Sequence, residues 1–224
     1  MKASLLFGEV FFVGGAPMAL VLNYYPFTPD DWDDVQSFDC GDREHEKEVS
    51  DWLKGPAEPR PSDGSALAEI ADNPPARVWL YRLEDEESEQ DGDDPIVGFG
   101  ALGASEWRWT TKKSPYLPIT ALLWFAVQKH FKRQPLGDEE GFYSSQIMDH
   151  LIEESLKNKH ERPVLGLCVR PTNTRAIDLY RRKHFTADLD PFTDKKTGIT
   201  YARMARILDP VRLQELREEL QKKK

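Results

Sequence analysis

The distribution of apolar and polar residues predicts strands and helices that alternate along much of the chain. Apolar or alternating runs favour strands at 19–25, 77–83, 95–102, 116–127 and 164–169. Apolar residues at helical spacing predict helices over 145–156 and 173–183, and shorter helices are expected after caps at Thr28 and Asp42. The run over 116–127 is apolar on both faces, which is typical of a central strand. This order indicates an α/β (α+β) core with a crossover connection.

The remaining segments read as connections and ends. Residues 84–94 are almost entirely acidic or small, so we expect a mobile hairpin tip. The alternative is an acidic segment that attracts cationic substrates. Residues 1–17 are expected to be an extension of unreadable role, and glycines and a proline within them argue against a secretion signal or membrane span. One domain is expected over 18–208, followed by a charged, exposed helix over 209–224.

Composition narrows the class of protein. The 224 residues include 39% apolar residues, enough for one sizeable core. The net charge of -9 would repel phosphates, which disfavours a nucleic-acid partner. Cys40 and Cys168 lie far apart, so neither a disulfide framework nor a metal site is indicated, and a reducing cytoplasm fits best. Oligomerisation stays open.

The segment from Leu167 to Phe185 carries the most information about chemistry. It reads as a strand, a short turn and a helix, and offsets of three and four place Asn173, Ala176 and Tyr180 on one helical face. An amide, a small residue and a phenol on one stripe do not form a simple core face. The phenol, with a pKa near 10, stays protonated at neutral pH and can donate its proton to a thiolate.

This segment resembles the last conserved block of the GNAT superfamily of acetyl-CoA-dependent N-acetyltransferases, a strand followed by Asn-x-x-Ala-x-x-Leu-Tyr and a Gly-Phe pair. The resemblance implies that Asn173 contacts the pantetheine arm, that Ala176 makes room for the cofactor and that Tyr180 protonates the departing CoA thiolate. His184 stands where the family has glycine. It also implies a central mixed, mostly antiparallel, twisted sheet of about six to seven strands flanked by helices, with one splayed pair of parallel strands.

The same resemblance assigns the end of the central strand and the loop after it. It implies that Phe125, Ala126 and Val127 contact the cofactor mainly through their main chain. The family then carries a Gln/Arg-x-x-Gly-x-Gly/Ala loop that holds the pyrophosphate, and this chain departs from it, with Arg133 and Pro135 replacing the small residues. The residues assigned to this region are Lys132, Arg133, Gln134, Leu136, Gly137, Ser144 and Ser145.

Three interpretations of this loop stay open. Lys132 and Arg133 could bind the pyrophosphate by their charge, in place of main-chain amides. Amides near Ser144 and Ser145 could bind the phosphates instead. Alternatively, CoA binding could be lost. The acidic stretch 138–140 next to the loop would be unfavourable near a pyrophosphate unless it turned outward.

Substrate signals are weaker. No Asp, Glu or His occurs from Ile119 to Val127, so a general base must come from elsewhere, with Glu106 or water as candidates. Without an evident base, amines of low pKa such as α-amino groups are the favoured substrates, because part of them is already neutral at pH 7. Residues 107–109, Trp-Arg-Trp, either form the end of a strand or line one side of the substrate pocket. Residues 38–41, Phe-Asp-Cys-Gly, resemble a segment of GNAT toxins that acetylate aminoacyl-tRNA.

We therefore expect an acetyl-CoA-dependent N-acetyltransferase without a metal, acting on a primary amine by direct attack in a ternary complex, with Tyr180 as general acid. The alternatives are a toxin that acetylates aminoacyl-tRNA and a non-catalytic binding module with the same fold, the latter suggested by Arg133 and Pro135.

Overall fold

The structure is a computed structural model that describes residues 21–56, 64–71, 76–84, 95–108, 115–132, 142–195 and 197–222. The strands within these residues are β1 (Val21–Pro26), β2 (Arg77–Glu84), β3 (Ile96–Arg108), β4 (Tyr116–Val127), β5 (Val164–Val169), β6 (Thr186–Thr193) and β7 (Thr200–Ile207). The α-helices are α1 (Trp32–Val35), α2 (Glu44–Lys54), α3 (Ala66–Ile70), α4 (Phe142–Leu156), α5 (Thr174–Arg182) and α6 (Pro210–Lys222). Short 3-10 helices span Pro29–Asp31 and Lys129–Phe131.

The strands form one sheet in the order β1-β2-β3-β4-β5-β7-β6. Strand β5 pairs with β4 in parallel, while the pairs β1/β2, β5/β7 and β6/β7 are antiparallel. The parallel ladder joins residues 120–122 to residues 165–167, although β4 continues to Val127 and β5 to Val169. The predicted mixed, mostly antiparallel sheet with one parallel pair is thus confirmed.

The chain divides into two compact units, and the first comprises Met1–Gly100 with Phe125–Ile147. Its core is aromatic: the ring of Phe99 on β3 lies between Phe38 and Trp52, with centroid distances of 5.4 and 5.6 Å. Helix α4 packs closely here, because a Cβ added at Gly98 would lie 2.8 Å from Cδ1 of Ile147. Glycine at this position therefore allows α4 to approach the sheet.

The second unit comprises Ala101–Trp124 with Met148–Lys224. Its core contains Leu117, Ile119, Ala121, Val164 and Ala205 from the strands with Leu213 and Leu216 from α6. Helix α6 is charged, as expected, but it is not simply exposed, because leucines at helical spacing pack one face against the sheet.

Several boundaries differ from those the sequence predicts. Helix α2 is capped at Arg43 rather than Asp42, since the Arg43 amide donates to Glu46 Oε2. Helix α4 begins at Phe142, before the serines expected to cap it. Strand β3 extends to Arg108, and β6 and β7 form a hairpin for which no strands were predicted. The expectations for 1–17 and 85–94 lie outside the described residues.

Candidate functional site

The end of β4 presents its two main-chain edges differently. The Gln128 amide donates to the Val97 carbonyl of β3 at 2.7 Å, and the Ala126 carbonyl faces β3 as well, 2.5 Å from where a Cβ of Gly98 would lie. Because main-chain groups alternate along a strand, those of Phe125 and Val127 lie on the edge opposite β3. This edge continues past the ladder that β4 forms with β5. It can therefore offer hydrogen bonds to an extended, amide-bearing ligand.

The N-terminus of α4 lies beside the 3-10 helix that follows β4. The rings of Phe131 and Tyr143 meet edge to face, with centroids 5.7 Å apart. The first turn of α4 contains no acidic residue and includes Ser144, with Ser145 next. Amides at a helix N-terminus carry the positive end of the helix dipole, so this turn favours an anion.

Two lysines before this turn form ion pairs with the start of α2 and the residue just before its cap. Lys132 Nζ lies 2.6 Å from Glu46 Oε1, and Lys129 Nζ lies 2.8 Å from Asp42 Oδ2. Burial alone would raise the pKa of Glu46, but hydrogen bonds from the Lys132 ammonium and the Arg43 amide outweigh it and hold that pKa below its usual value. Lys132 is thus already paired.

The other residues predicted for the pyrophosphate loop, Arg133, Gln134, Leu136 and Gly137, lie outside the described residues. Of that group the structure places Lys132, Ser144 and Ser145, all in the first unit.

In the second unit, Asn173 and Ala176 open α5. Asn173 is the N-cap, and its Oδ1 accepts a hydrogen bond from the Ala176 amide at 3.3 Å. Both residues are half-buried. The cap uses the oxygen of the Asn173 side chain, which leaves the Nδ2 amino group as the donor for a ligand.

Tyr180 is buried and is held by the turn that ends α5. The Phe185 amide donates to the Tyr180 carbonyl at 3.0 Å, and the His184 amide donates to the Arg181 carbonyl at 3.0 Å. These two bonds define a Schellman motif, which requires a left-handed residue, and His184 has φ 63°. Phe185 completes the motif by packing on Tyr180, with ring centroids 5.7 Å apart. The position where the family has glycine therefore keeps the glycine-like conformation.

Burial raises the pKa of the Tyr180 phenol well above its ordinary value. The phenol therefore stays protonated across the physiological range.

The weaker candidates divide between core and surface. Phe38 and Cys40 are buried, and Gly41 has φ 134°, so the Phe-Asp-Cys-Gly segment packs the first unit and shapes the turn before α2. On β3, Trp107 lies over Gly166, and the Arg203 guanidinium sits 5.3 Å from the Trp107 ring centre. Glu106 is exposed, and Trp109 lies outside the described residues.

Metal and membrane signals were also sought in the described residues. Within them, no three His, Cys, Asp or Glu side chains are arranged to hold a metal ion. None of the described helices combines the length and the apolar character that crossing a membrane requires.

Solved structures show that the chain has the GNAT fold. A mutant of the toxin AtaT, bound to the C-terminus of the antitoxin AtaR and acetyl-CoA, matches with a TM-score of 0.53 at 14% identity, over 87% of this chain and 98% of that chain. A mutant of KacT gives 0.54 at 16%, over 87% and 98%. Arabidopsis thaliana NAA60 in complex with acetyl-CoA gives 0.53 at 12%, over 84% and 99%. No protein-family model matches the sequence, and no curated protein does.

Sequence reasoning missed the partners of the two lysines. Asp42 and Glu46 lie 87 and 86 residues from Lys129 and Lys132, and no local pattern predicts such pairs. Phe131 and Tyr143 were missed as well, although an aromatic residue on each side of the loop was a signal that the two ends could pack together.

Proposed function

We propose that this chain is an N-acetyltransferase that binds acetyl-CoA and passes the acetyl group to a primary amine. The observation that carries the proposal is the end of β4. The strand continues to Val127, past the residues that pair with β5, and the main-chain groups of Phe125 and Val127 point away from β3. An extended pantetheine arm, which contains two amides, matches such an edge. Two of the similar folds above were solved with acetyl-CoA.

Each unit contains residues whose chemistry suits a part of the cofactor. In the first unit, the N-terminus of α4 with Ser144 and Ser145, together with Lys132, suits the diphosphate. Arg133, Gln134, Leu136 and Gly137 are proposed to complete that end. Phe125, Ala126 and Val127 would hold the pantetheine. In the second unit, Asn173 would donate to the arm, and Ala176 would leave room for it.

The reaction is a direct transfer in a ternary complex. The amine nitrogen attacks the thioester carbon, the carbon–sulfur bond breaks, and the sulfur leaves with the bonding electrons. Tyr180 donates its phenolic proton to that sulfur, and the proton released by the attacking amine returns to the site through water. Because no Asp, Glu or His occurs from Ile119 to Val127, an α-amine, which is partly neutral at pH 7, is the favoured acceptor over a lysine side chain.

The test of the mechanism is Tyr180→Phe. We expect turnover to fall by about 10²-fold or more, as for other general acids, while the dissociation constant for acetyl-CoA stays nearly constant. Tyr81→Phe is the matched control, because Tyr81 is also a buried tyrosine and lies on β2, outside the residues proposed for the site. Unchanged turnover in Tyr180→Phe would remove the phenol from the mechanism.

A second candidate is a toxin that acetylates aminoacyl-tRNA. It is favoured by the likeness to the toxins AtaT and KacT and opposed by the net charge of -9. An aminoacyl-tRNA presents an α-amine, which agrees with the lack of Asp, Glu and His from Ile119 to Val127. Growth arrest on expression that Tyr180→Phe relieves would support this substrate, and normal growth would count against it. Purified protein that shows no thermal shift with CoA would instead favour a non-catalytic module.

A further inference from the structure

The carboxylate of Glu46 on α2 is held in one position by contacts on both oxygens. Oε1 accepts from Lys132 Nζ at 2.6 Å, and Oε2 accepts from the Arg43 amide at 3.0 Å. The space beside it is left by Gly41, since a Cβ at that residue would collide with the carboxylate. The Glu46 side chain is only 18% exposed. This carboxylate therefore has little freedom to turn elsewhere.

The main chain under Glu46 is equally well anchored. The Glu46 carbonyl accepts from the Ser50 hydroxyl at 3.1 Å and from the Cys40 thiol at 2.8 Å. The hydroxyl of buried Ser50 also accepts from the Cys40 amide at 3.0 Å. The first turn of α2 is thus tied to the loop before it, and Glu46 is a fixed point in the first unit.

Lys132, the partner of Glu46, is adjacent in sequence to a residue that packs on the anion-favouring end of α4. It directly follows Phe131, whose ring packs against Tyr143 in the first turn of that helix. A lysine side chain is long and flexible, so an ammonium left in solvent would lose much freedom on binding a phosphate. Glu46 removes that freedom beforehand while leaving two of the three ammonium donors for another acceptor.

We propose that Glu46 is a positioning residue that directs the Lys132 ammonium towards the diphosphate of acetyl-CoA at the N-terminus of α4. The inference rests on the proposed function. It gives a physical reason why the loop can lack the small residues of the family, because an oriented cation replaces part of their amide contacts. Protein kinases use the same principle when a glutamate fixes the lysine that contacts the ATP phosphates.

The experiment is calorimetric titration of wild type, Glu46→Gln, Lys132→Met and the double variant. Each is titrated with acetyl-CoA and with S-acetyl-pantetheine, which lacks the diphosphate. We expect Lys132→Met to weaken acetyl-CoA binding about 10-fold or more and Glu46→Gln about 3- to 10-fold, with the double variant no weaker than Lys132→Met. Affinity for S-acetyl-pantetheine should not change, because the thioester arm does not reach Lys132.

The neighbouring ion pair supplies the matched control. Asp42→Asn breaks the pair with Lys129, which is exposed and one turn away, and should leave both affinities unchanged. Lys132→Met tests the same claim from the more exposed partner if Glu46→Gln folds poorly.

Three results would overturn the inference while leaving the proposed function intact. Glu46→Gln could bind acetyl-CoA as well as wild type, or more tightly, which would make the carboxylate a competitor of the phosphate. Both ligands could lose affinity equally, which would make Glu46 a purely structural residue. The losses of acetyl-CoA affinity in Glu46→Gln and Lys132→Met could add in the double variant, which would mean that Glu46 does not act through Lys132. Failure of wild type to bind acetyl-CoA at all would overturn the proposed function together with the inference.

Discussion

Replacement of His184 by glycine tests the turn that holds Tyr180. His184 has φ 63°, a left-handed conformation in which the Cβ of an L-residue crowds the following carbonyl. The two hydrogen bonds of the Schellman motif, each 3.0 Å, require this conformation, so the chain cannot relax it without losing them. Glycine removes the strain and keeps both bonds.

The expected gain in the free energy of unfolding of His184→Gly is the difference between two opposing effects. Left-handed backbone costs an L-residue about 1–2 kcal/mol, and glycine recovers that amount. Glycine also makes the unfolded chain more flexible, which costs about 0.5–1 kcal/mol. The net stabilisation is therefore about 0.5–1 kcal/mol, or about 1–4 °C in Tm for a chain of this length.

Urea unfolding followed by tryptophan fluorescence measures this difference, with His184→Ala as the control. Alanine keeps the Cβ, so it should give no gain over wild type. A destabilised His184→Gly would show that the imidazole makes a contact worth more than the strain. Equal stability of the glycine and alanine variants would show that the left-handed backbone at this residue costs little, and either result would refute the reasoning.

Three further predictions concern packing, capping and ionisation. Gly98→Ala should cost about 1–3 kcal/mol in urea unfolding because its Cβ meets the Ala126 main chain, whereas Gly103→Ala meets only the end of the Leu123 side chain and should cost less. Asn173→Ala should cost about 1 kcal/mol in the same assay through loss of the cap. Above about pH 10 the unfolded chain loses the Tyr180 proton that the folded chain keeps, so wild type should lose about 1.4 kcal/mol per pH unit relative to Tyr180→Phe, and parallel pH profiles would contradict this.

The sequence predicts those parts of the fold that local patterns determine. The buried run of β4 and the capped start at Thr28 were correctly located, because apolar content and caps act within a few residues. Glycine at a helix end is a local signal as well, and Gly55 ends α2 with φ 30°. The hairpin of β6 and β7 was missed because charged residues interrupt the apolar pattern of both strands, although the turn around Gly198, with φ 70°, was a local signal.

Long-range contacts account for most of what the sequence could not predict. At the start of helix α4, Tyr143 packs on Phe131, a contact that no capping rule anticipates. Lys132 is proposed as a phosphate ligand from its charge, but its pairing with Glu46 depends on where α2 packs in the first unit and could not be predicted. The role proposed for Tyr180 comes from its motif, whereas the burial that raises its pKa could not be predicted.

Calorimetric titration of the wild-type protein with acetyl-CoA tests the central claim most directly. The account predicts saturable one-to-one binding with a dissociation constant in the micromolar range, which Tyr180→Phe leaves nearly unchanged. Absence of binding up to high micromolar acetyl-CoA would contradict the account and would leave a GNAT fold that serves another purpose.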